Sequence, residues 1–424
     1  VTKKLNRRDF LRLSAASGAA LAVGATTQPA RANVRKRNDS LTVYWNPGHS
    51  YDTYQAIIDQ FSEDTGLDVN WEMFQWPDMR TKILADFAAG DVPDLVEEPG
   101  GWVQEFALAG NIQSLQPWVD RDGTEMGFPA DWQPYTVSRN SIEGEVFGVQ
   151  LHLTCNLLFY NKEMLSAAGF DGPPTTWEEF LEVAQATTSG RVFGFAPNQD
   201  HGYMWTWYLQ NGVHYYDPEN NVVPMNNEDA YAALQFVADM VHEYKVAPVP
   251  IASADYEGPQ KLFSARRAAM ILTGPWDIKP ISEGSPDLDW DIAQALTGKV
   301  QATYAAGTSM MIPTEAKHPE EAWELLKRLV TLDAEVAATA EAGMCMPRIS
   351  WGQHPDVQAN TRIAAFATGL GYAEDVGEKL RLTGKYGEIN ELHKKAYEES
   401  IYSNRPAKDA LDEFVENANA LLAE

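Results

Sequence analysis

Leu41-Thr-Val-Tyr-Trp45 alternates, with Leu41, Val43 and Trp45 on one face, and Pro47-Gly48 ends it as a first strand. Tyr54, Ile57, Ile58 and Phe61 then fall at i, i+3, i+4 and i+7, so a helix follows as far as Gly66. Val69, Trp71 and Met73 resume strand alternation, a helix runs from about Met79 to Ala89, and Asp94-Leu-Val96 is a short buried strand. Gly100 to Trp102 leads into a further helix near Val103 to Ala109. The order strand, helix, strand, helix, strand predicts a mostly parallel sheet with helices on both faces. Ligands on such sheets bind beyond the carboxyl ends of the strands.

The middle of the chain repeats this grammar. Leu157 to Tyr160 is a strand, and Thr176-Trp-Glu-Glu179 is a capping box that opens a helix from Trp177 to Thr187. Ala230 to Tyr244 is a long amphipathic helix, and Ala268 to Leu272 is a continuous apolar run suited to a buried strand. Asp291 to Leu296 and Met310 to Ile312 are further strands. Beyond Pro319 the pattern is helical: Ala322 to Val330, Asp333 to Ala342, Ile389 to Tyr402 and Lys408 to Leu422. No short-period repeat is present.

The 424 residues carry 60 acidic and 33 basic side chains, a formal charge of −27. An acidic surface disfavours nucleic acid, polyanionic polysaccharide and anionic lipid, all of which are held by basic groups. The first 32 residues are an address. Lys3, Lys4, Arg7 and Arg8 form a positive region, Leu13 to Ala25 is weakly apolar, and Ala30-Arg31-Ala32 is a cleavage site. Arg7-Arg8-Asp9-Phe10-Leu11 resembles a twin-arginine export signal, R-R-x-F-L. Removing residues 1–32 leaves 27 basic and 59 acidic groups, or −32. No other stretch approaches the ~18 apolar residues of a membrane span, so a periplasmic monomer without direct membrane insertion is expected. Cys155 and Cys345 are the only cysteines and are expected as free, partly buried thiols.

Five segments in order resemble the family-1 extracellular solute-binding proteins, the maltose-binding-protein-like carbohydrate receptors of ABC importers. They are Ala88-Ala-Gly-Asp-Val-Pro-Asp94-Leu; Gly144 to Val149 with Leu158-Phe-Tyr-Asn-Lys162; and Pro173-Pro-Thr-Thr-Trp177-Glu-Glu-Phe. The others are Ala268-Ala-Met-Ile-Leu-Thr-Gly-Pro-Trp276 and Ala306-Gly307 followed by Pro319-Glu-Glu-Ala-Trp323. The resemblance implies an α/β, two-lobe periplasmic-binding-protein fold of class II type, with a hinged interlobe cleft. It places an N-terminal lobe at 34–152 plus 307–355 and a C-terminal lobe at 153–306 plus 356–424. Crossings are expected near His152 to Asn156, near Val300 to Ala306 and after Trp351. The implied partners are a small-molecule sugar and a membrane permease.

A sugar site needs aromatic faces for the ring and charge-assisted hydrogen bonds for hydroxyls. Trp276, at the end of a predicted strand after Gly274-Pro275, matches a family position that commonly stacks on sugar. Trp45 and His49 close the first strand, with a core role as the rival for Trp45. Glu97 and Glu98 follow the strand 94–96; Glu98 is expected to face ligand, and the rival has one carboxylate solvated and the other capping the helix near Trp102. Asp94 is expected to order its loop. His152, Thr154 and Asn156 share one face of the first crossing. Trp205 and Trp207, with His201 and Tyr203, form an aromatic run of which one or two members should line the second lobe. Asp277, Gly307, Ser309, Arg348 and Tyr386 complete the set, Arg348 by resemblance to a P-R element.

No G-x-G-x-x-G, Walker A, C-x-x-C, H-E-x-x-H or G-x-S-x-G occurs, and the eight histidines lack ligand spacing. Neither cofactor, metal nor catalytic residues are expected. The expected function is a periplasmic receptor delivering a neutral mono- or oligosaccharide to its permease. The alternatives are a receptor for a polyol or glycerol phosphate and a secreted glycoside hydrolase using two carboxylates.

Overall fold

The computed structural model describes residues 40–251 and 257–424; the export signal lies outside them. The first sheet contains β1 (Ser40–Trp45), β2 (Asp68–Met73), β3 (Leu95–Glu98), β4 (Gly148–Cys155), β9 (Thr303–Met311) and β10 (Ala373–Glu374). The second contains β5 (Leu157–Asn161), β6 (Phe193–Ala196), β7 (Ala268–Thr273) and β8 (Trp290–Ala293). Strand order is β10-β9-β3-β1-β2, with β4 also on β9, and β8-β5-β7-β6.

β1 pairs in parallel with β2 and β3. Leu41, Val43 and Trp45 are fully buried on one face, and Tyr44 is 4% exposed on the other. Both faces are covered, as parallel strands joined by helices require. One face packs α1 (Asp52–Thr65) through Tyr54, Ile58 and Phe61. The other packs Met79 and Ile83 of α2 (Trp76–Ala89) with Trp102 and Phe106. Burying side chains of this size stabilises by about 1.5–3 kcal/mol each. Gly66 and Gly90 end the two helices in the left-handed conformation.

The sheets are more mixed than the alternation of elements predicts. β9 runs antiparallel to both β3 and β4, and β7 and β8 run antiparallel to β5. The predicted strand Met310–Ile312 is the tail of the nine-residue β9. These pairings join segments more than 100 residues apart in sequence, which no local pattern encodes.

Helices α3 (Trp177–Thr187), α4 (Met204–Gln210) and α5 (Glu228–His242) cover the second sheet. Thr176 caps α3 by accepting from Glu179 N–H, and Glu179 reaches back to Thr175 N–H at 2.8 Å. After α6 (Pro319–Leu329) and α7 (Leu332–Ala342), the chain closes with α8 (Tyr386–Ser403) and α9 (Ala407–Leu422), packed on each other and on α5. Tyr386 is the first residue of α8, where the sequence pattern starts this helix at Ile389. Both cysteines are free and fully buried, deeper than expected.

The chain passes between sheets on a long buried ladder. β4 belongs to the first sheet and Asn156 separates it from β5 in the second; β9 returns beside β4, pairing Cys155 with Ala305 and His152 with Thr308. The register shifts between Thr308 and Ser309. Gly307, just before this shift, has φ +149°, and an added Cβ would overlap the His152 carbonyl oxygen. A third strand, β10, joins β9 in parallel at Thr303 and Tyr304.

Immediately beyond β10 lies a buried charge triad. Arg139, Asp375 and Arg381 are each 2% exposed at the side chain, and Asp375 Oδ2 accepts from Arg139 Nε at 3.2 Å and from Arg381 Nη2. Arg139 also donates to the Gly100 carbonyl and Arg381 to Gln104 Oε1. Burial alone would raise the Asp375 pKa, but the two guanidiniums outweigh it and hold the carboxyl below its ordinary value.

Gly307→Ala should destabilise the fold by about 2–3 kcal/mol, read from urea unfolding. Asp375→Asn strands two buried cations and should cost about 3–5 kcal/mol at neutral pH. Because the folded pKa of Asp375 is depressed, its contribution is full above the unfolded value of about 3.9 and is lost as pH falls through the folded one. Unfolding midpoints of wild type and Asp375→Asn should therefore converge below pH 4.

Candidate functional site

The carboxyl ends of β1 and β3 meet at one polar cluster. Asn46 follows β1 and its side chain accepts from Gly48 N–H at 2.8 Å, fixing a tight turn over Pro47–His49. The Trp45 indole N–H donates to the His49 carbonyl at 2.9 Å. Trp45 is thus a core residue that pins the backbone of His49.

Glu97, from β3, is fully buried. Its Oε2 accepts from Asn46 N–H at 2.9 Å, and its Oε1 lies 2.6 Å from His49 Nδ1 and 3.6 Å from His152 Nδ1. Burial opposes ionisation of Glu97, but His49 and His152 outweigh it and lower its pKa to about 2. His152, fully buried on β4, contacts Tyr54 Oη through Nε2 at 3.0 Å and Thr308 Oγ1 through Nδ1 at 2.9 Å. Burial, then His49, lowers its pKa to about 4. The imidazole is therefore neutral near pH 7.

Adjacent strand residues point to opposite faces, and the neighbouring glutamates differ accordingly. Glu98 Oε2 accepts from Gly101 N–H at 2.7 Å and Trp102 N–H at 2.8 Å, orienting the glycine turn before the helix Val103–Leu108. Burial pushes the Glu98 carboxyl up. Asp94 orders its loop, accepting from Thr42, Lys317 and His318 N–H groups.

An aromatic wall adjoins His49. Trp76, the first residue of α2, is half-buried, 5.9 Å from the His49 ring and 6.4 Å from Trp102. Arg80 lies over Trp102 and pairs with Glu105 at 2.7 Å. Trp76 was not among the sequence candidates. Its signal was its place just after the carboxyl end of β2.

In the second sheet, β7 ends in the turn Pro275–Asp277. Trp276 is half-buried, and its ring lies so close over Gly274 that a Cβ there would overlap it. Asp277 Oδ2 accepts from Thr273 Oγ1 at 2.7 Å. This turn approaches the first sheet's side: a Cβ on Gly343, which ends α7, would lie 3.5 Å from the Pro275 carbonyl and 3.3 Å from Ile278. Next to that corner Glu341 caps α1, accepting from Asp52 and Thr53 N–H groups at 2.8 and 2.9 Å.

The other predicted residues stand elsewhere. Trp205 is 2% exposed and stacks on His393 at 4.4 Å, while Trp207 packs among Phe180, Phe195 and Phe236; both are second-sheet core. His201 remains half-buried, near Asp200 and 3.2 Å from Asn390. Arg348 is 7% exposed; it donates to the Val330 carbonyl, pairs with Asp131 at 3.1 Å and lies over Trp132 at 3.9 Å. Tyr386 packs against Gly101, Gly377 and Arg381 beside the charge triad. Asn156 is buried and its carbonyl accepts from Thr303 Oγ1 at 2.6 Å. Ser309 donates to Gln150 Oε1 at 3.2 Å, and Gly307 shapes the β4–β9 ladder.

Comparison with known proteins supplies the family. Residues 46–335 match the model for bacterial extracellular solute-binding proteins. Residues 4–24 match the twin-arginine translocation signal, so the protein is exported by that pathway to the periplasm. Relatives include the arabinooligosaccharide-binding protein of Bacillus subtilis, 22% identical over 306 residues that cover 69% of each chain. The lactose-binding protein of Rhizobium radiobacter is 24% identical over 309 residues, 69% of this chain and 70% of that one. The GacH receptor of Streptomyces glaucescens, solved unliganded and with acarbose, superposes with a TM-score of 0.82 at 20% identity over 91% of this chain and 99% of its own. A Thermotoga lettingae solute-binding protein with bound tagatose gives 0.81 at 23% identity, covering 91% and 100%. The fold is the two-lobe periplasmic one, and the chain belongs to the bacterial extracellular solute-binding protein family.

Proposed function

We propose that this protein is the monomeric receptor of an ABC sugar importer, binding a neutral mono- or oligosaccharide between its lobes without turnover and delivering it to a membrane permease. The observation that carries this reading is Trp276. A large indole is held half-buried at the carboxyl end of β7, laid over Gly274 on a turn that reaches toward the opposite lobe. An indole face in that position suits the apolar face of a sugar ring. The polar ends of β1 and β3 offer His49 for hydroxyls.

We infer a lobe division of 34–152 with 307–355 and 153–306 with 356–424; the β4–β9 and β9–β10 pairings run across this boundary, because 153–155, 303–306 and 373–374 belong to the first sheet. The helix Thr361–Gly369 packs on β8, and α8 and α9 pack on α5, consistent with a C-terminal return to the second lobe. Closure would follow from contact of both lobes with one solute.

Two observations disfavour the alternatives. Arg348, the basic residue an anionic solute would call on, is committed to Val330, Asp131 and Trp132. Glu97 and Glu98 point to opposite faces of β3, so they do not flank one glycosidic bond as a hydrolase pair must.

Calorimetry and thermal shift across a panel of neutral sugars should find at least one that stabilises the mature chain and is recovered intact. Trp276→Ala should weaken that sugar by more than tenfold while leaving the unfolding midpoint nearly unchanged. Sugar consumption, or equal affinity in the variant, would refute the reading.

A further inference from the structure

We propose that His49, Glu97 and His152 form a binding site for a divalent first-row transition ion of the zinc type. Their ligand atoms lie within 4.8 Å of one another, the one such group among the described residues. At zinc bond lengths of about 2.0–2.2 Å, ligands of a tetrahedral ion stand about 3.2–3.5 Å apart. The separations of 2.6 Å from His49 Nδ1 to Glu97 Oε1 and 3.6 Å from Glu97 Oε1 to His152 Nδ1 bracket that range. All three ligand atoms lie within 4.8 Å of one another, so side-chain adjustments of no more than about 1.6 Å bring them to it.

Three further features suit an ion. First, the ligands are held from behind. Glu97 Oε2 is fixed by Asn46 N–H, and Tyr54 Oη stands 3.0 Å from His152 Nε2. With Nε2–H donating to Tyr54, the His152 Nδ1 lone pair accepts from the Thr308 hydroxyl at 2.9 Å and the ion takes that hydroxyl's place; the Nε2 bond to Tyr54 is the outer-shell arrangement that orients metal-binding imidazoles. Second, one carboxylate and two imidazoles give a charge of −1 in an N2O donor set, which favours zinc, cobalt or nickel over magnesium or calcium. Third, Glu97 and His152 are fully buried while the His49 side chain is 13% exposed, so the ion would enter past His49 and keep its open coordination position on that side. On binding, the ion takes the place of the proton that His49 Nδ1 shares with Glu97. The proton moves to Nε2 or to solvent.

The three ligands come from separate segments, a turn after β1, the end of β3 and the crossing strand β4. No ligand spacing exists in the sequence for that reason.

The test uses the mature protein after treatment with a chelator. Calorimetry with Zn2+ should show one site per chain, and Co2+ should give visible absorption bands of a low-coordinate ion. His49→Ala, which removes the partly exposed ligand, should lower Zn2+ affinity at least about 100-fold, and Tyr54→Phe about tenfold. Circular dichroism of the metal-free variants checks that both fold. Absence of Zn2+ binding by the wild-type chain overturns the proposal. So does stoichiometric binding unchanged in His49→Ala, which would place the ion on another histidine. Sugar binding is scored in separate titrations with chelator present, so failure of either proposal is distinguishable from failure of the other.

Discussion

The antiparallel ladder between β4 and β9 is the constraint on which the rest of the molecule depends. These two buried strands carry the chain out of the first sheet and back into it, with nearly 150 residues folded in between. Every second-sheet element, from β5 to β8, hangs on that pair. Within it, one residue before the register shift, Gly307 lies so close to the His152 carbonyl that the space a side chain would need is occupied. A backbone this close-packed tolerates no Cβ at Gly307.

The ladder also sets where polar groups gather. His152 and Thr308 face each other across it, and the ends of β1 and β3 bring Glu97 and His49 to the same place. Burying a carboxylate is costly unless it is paired and hydrogen-bonded. Glu97 meets that condition with a backbone N–H and two imidazoles, Asp375 with two guanidiniums. Both buried charge clusters lie beside crossing strands. Their partners come from distant parts of the chain, so each ties one crossing to the sheet it leaves.

Much of the aromatic content serves packing. Trp45, Trp205 and Trp207 fill cores, Trp205 stacked on His393 and the other two edge-on to Tyr54 and Phe180. Trp276 and Trp76 are different because each begins a turn or helix directly after a strand, where no second layer covers the ring completely. In periodicity all five look alike. Trp76 and Trp276 follow a strand's carboxyl end, whereas Trp45 is the last residue of β1 on its core face and Trp205 and Trp207 lie within α4.

The order of elements from β1 to β3, the inward face of β1, the caps at Gly66 and Gly90, the capped start at Thr176 and the export signal were legible in the sequence, because each depends on residues within a turn or two of one another; the strands β4, β6 and β10 were not. The family followed from motif order. The antiparallel course of β9, the commitment of Arg348 to Val330 and Asp131, the choice of Glu97 over Glu98 as partner of His49, and the joining of His49, Glu97 and His152 were decided by tertiary structure alone. Each is a contact between segments tens to hundreds of residues apart, and its energy comes from burial and charge pairing that exist only once those segments have met.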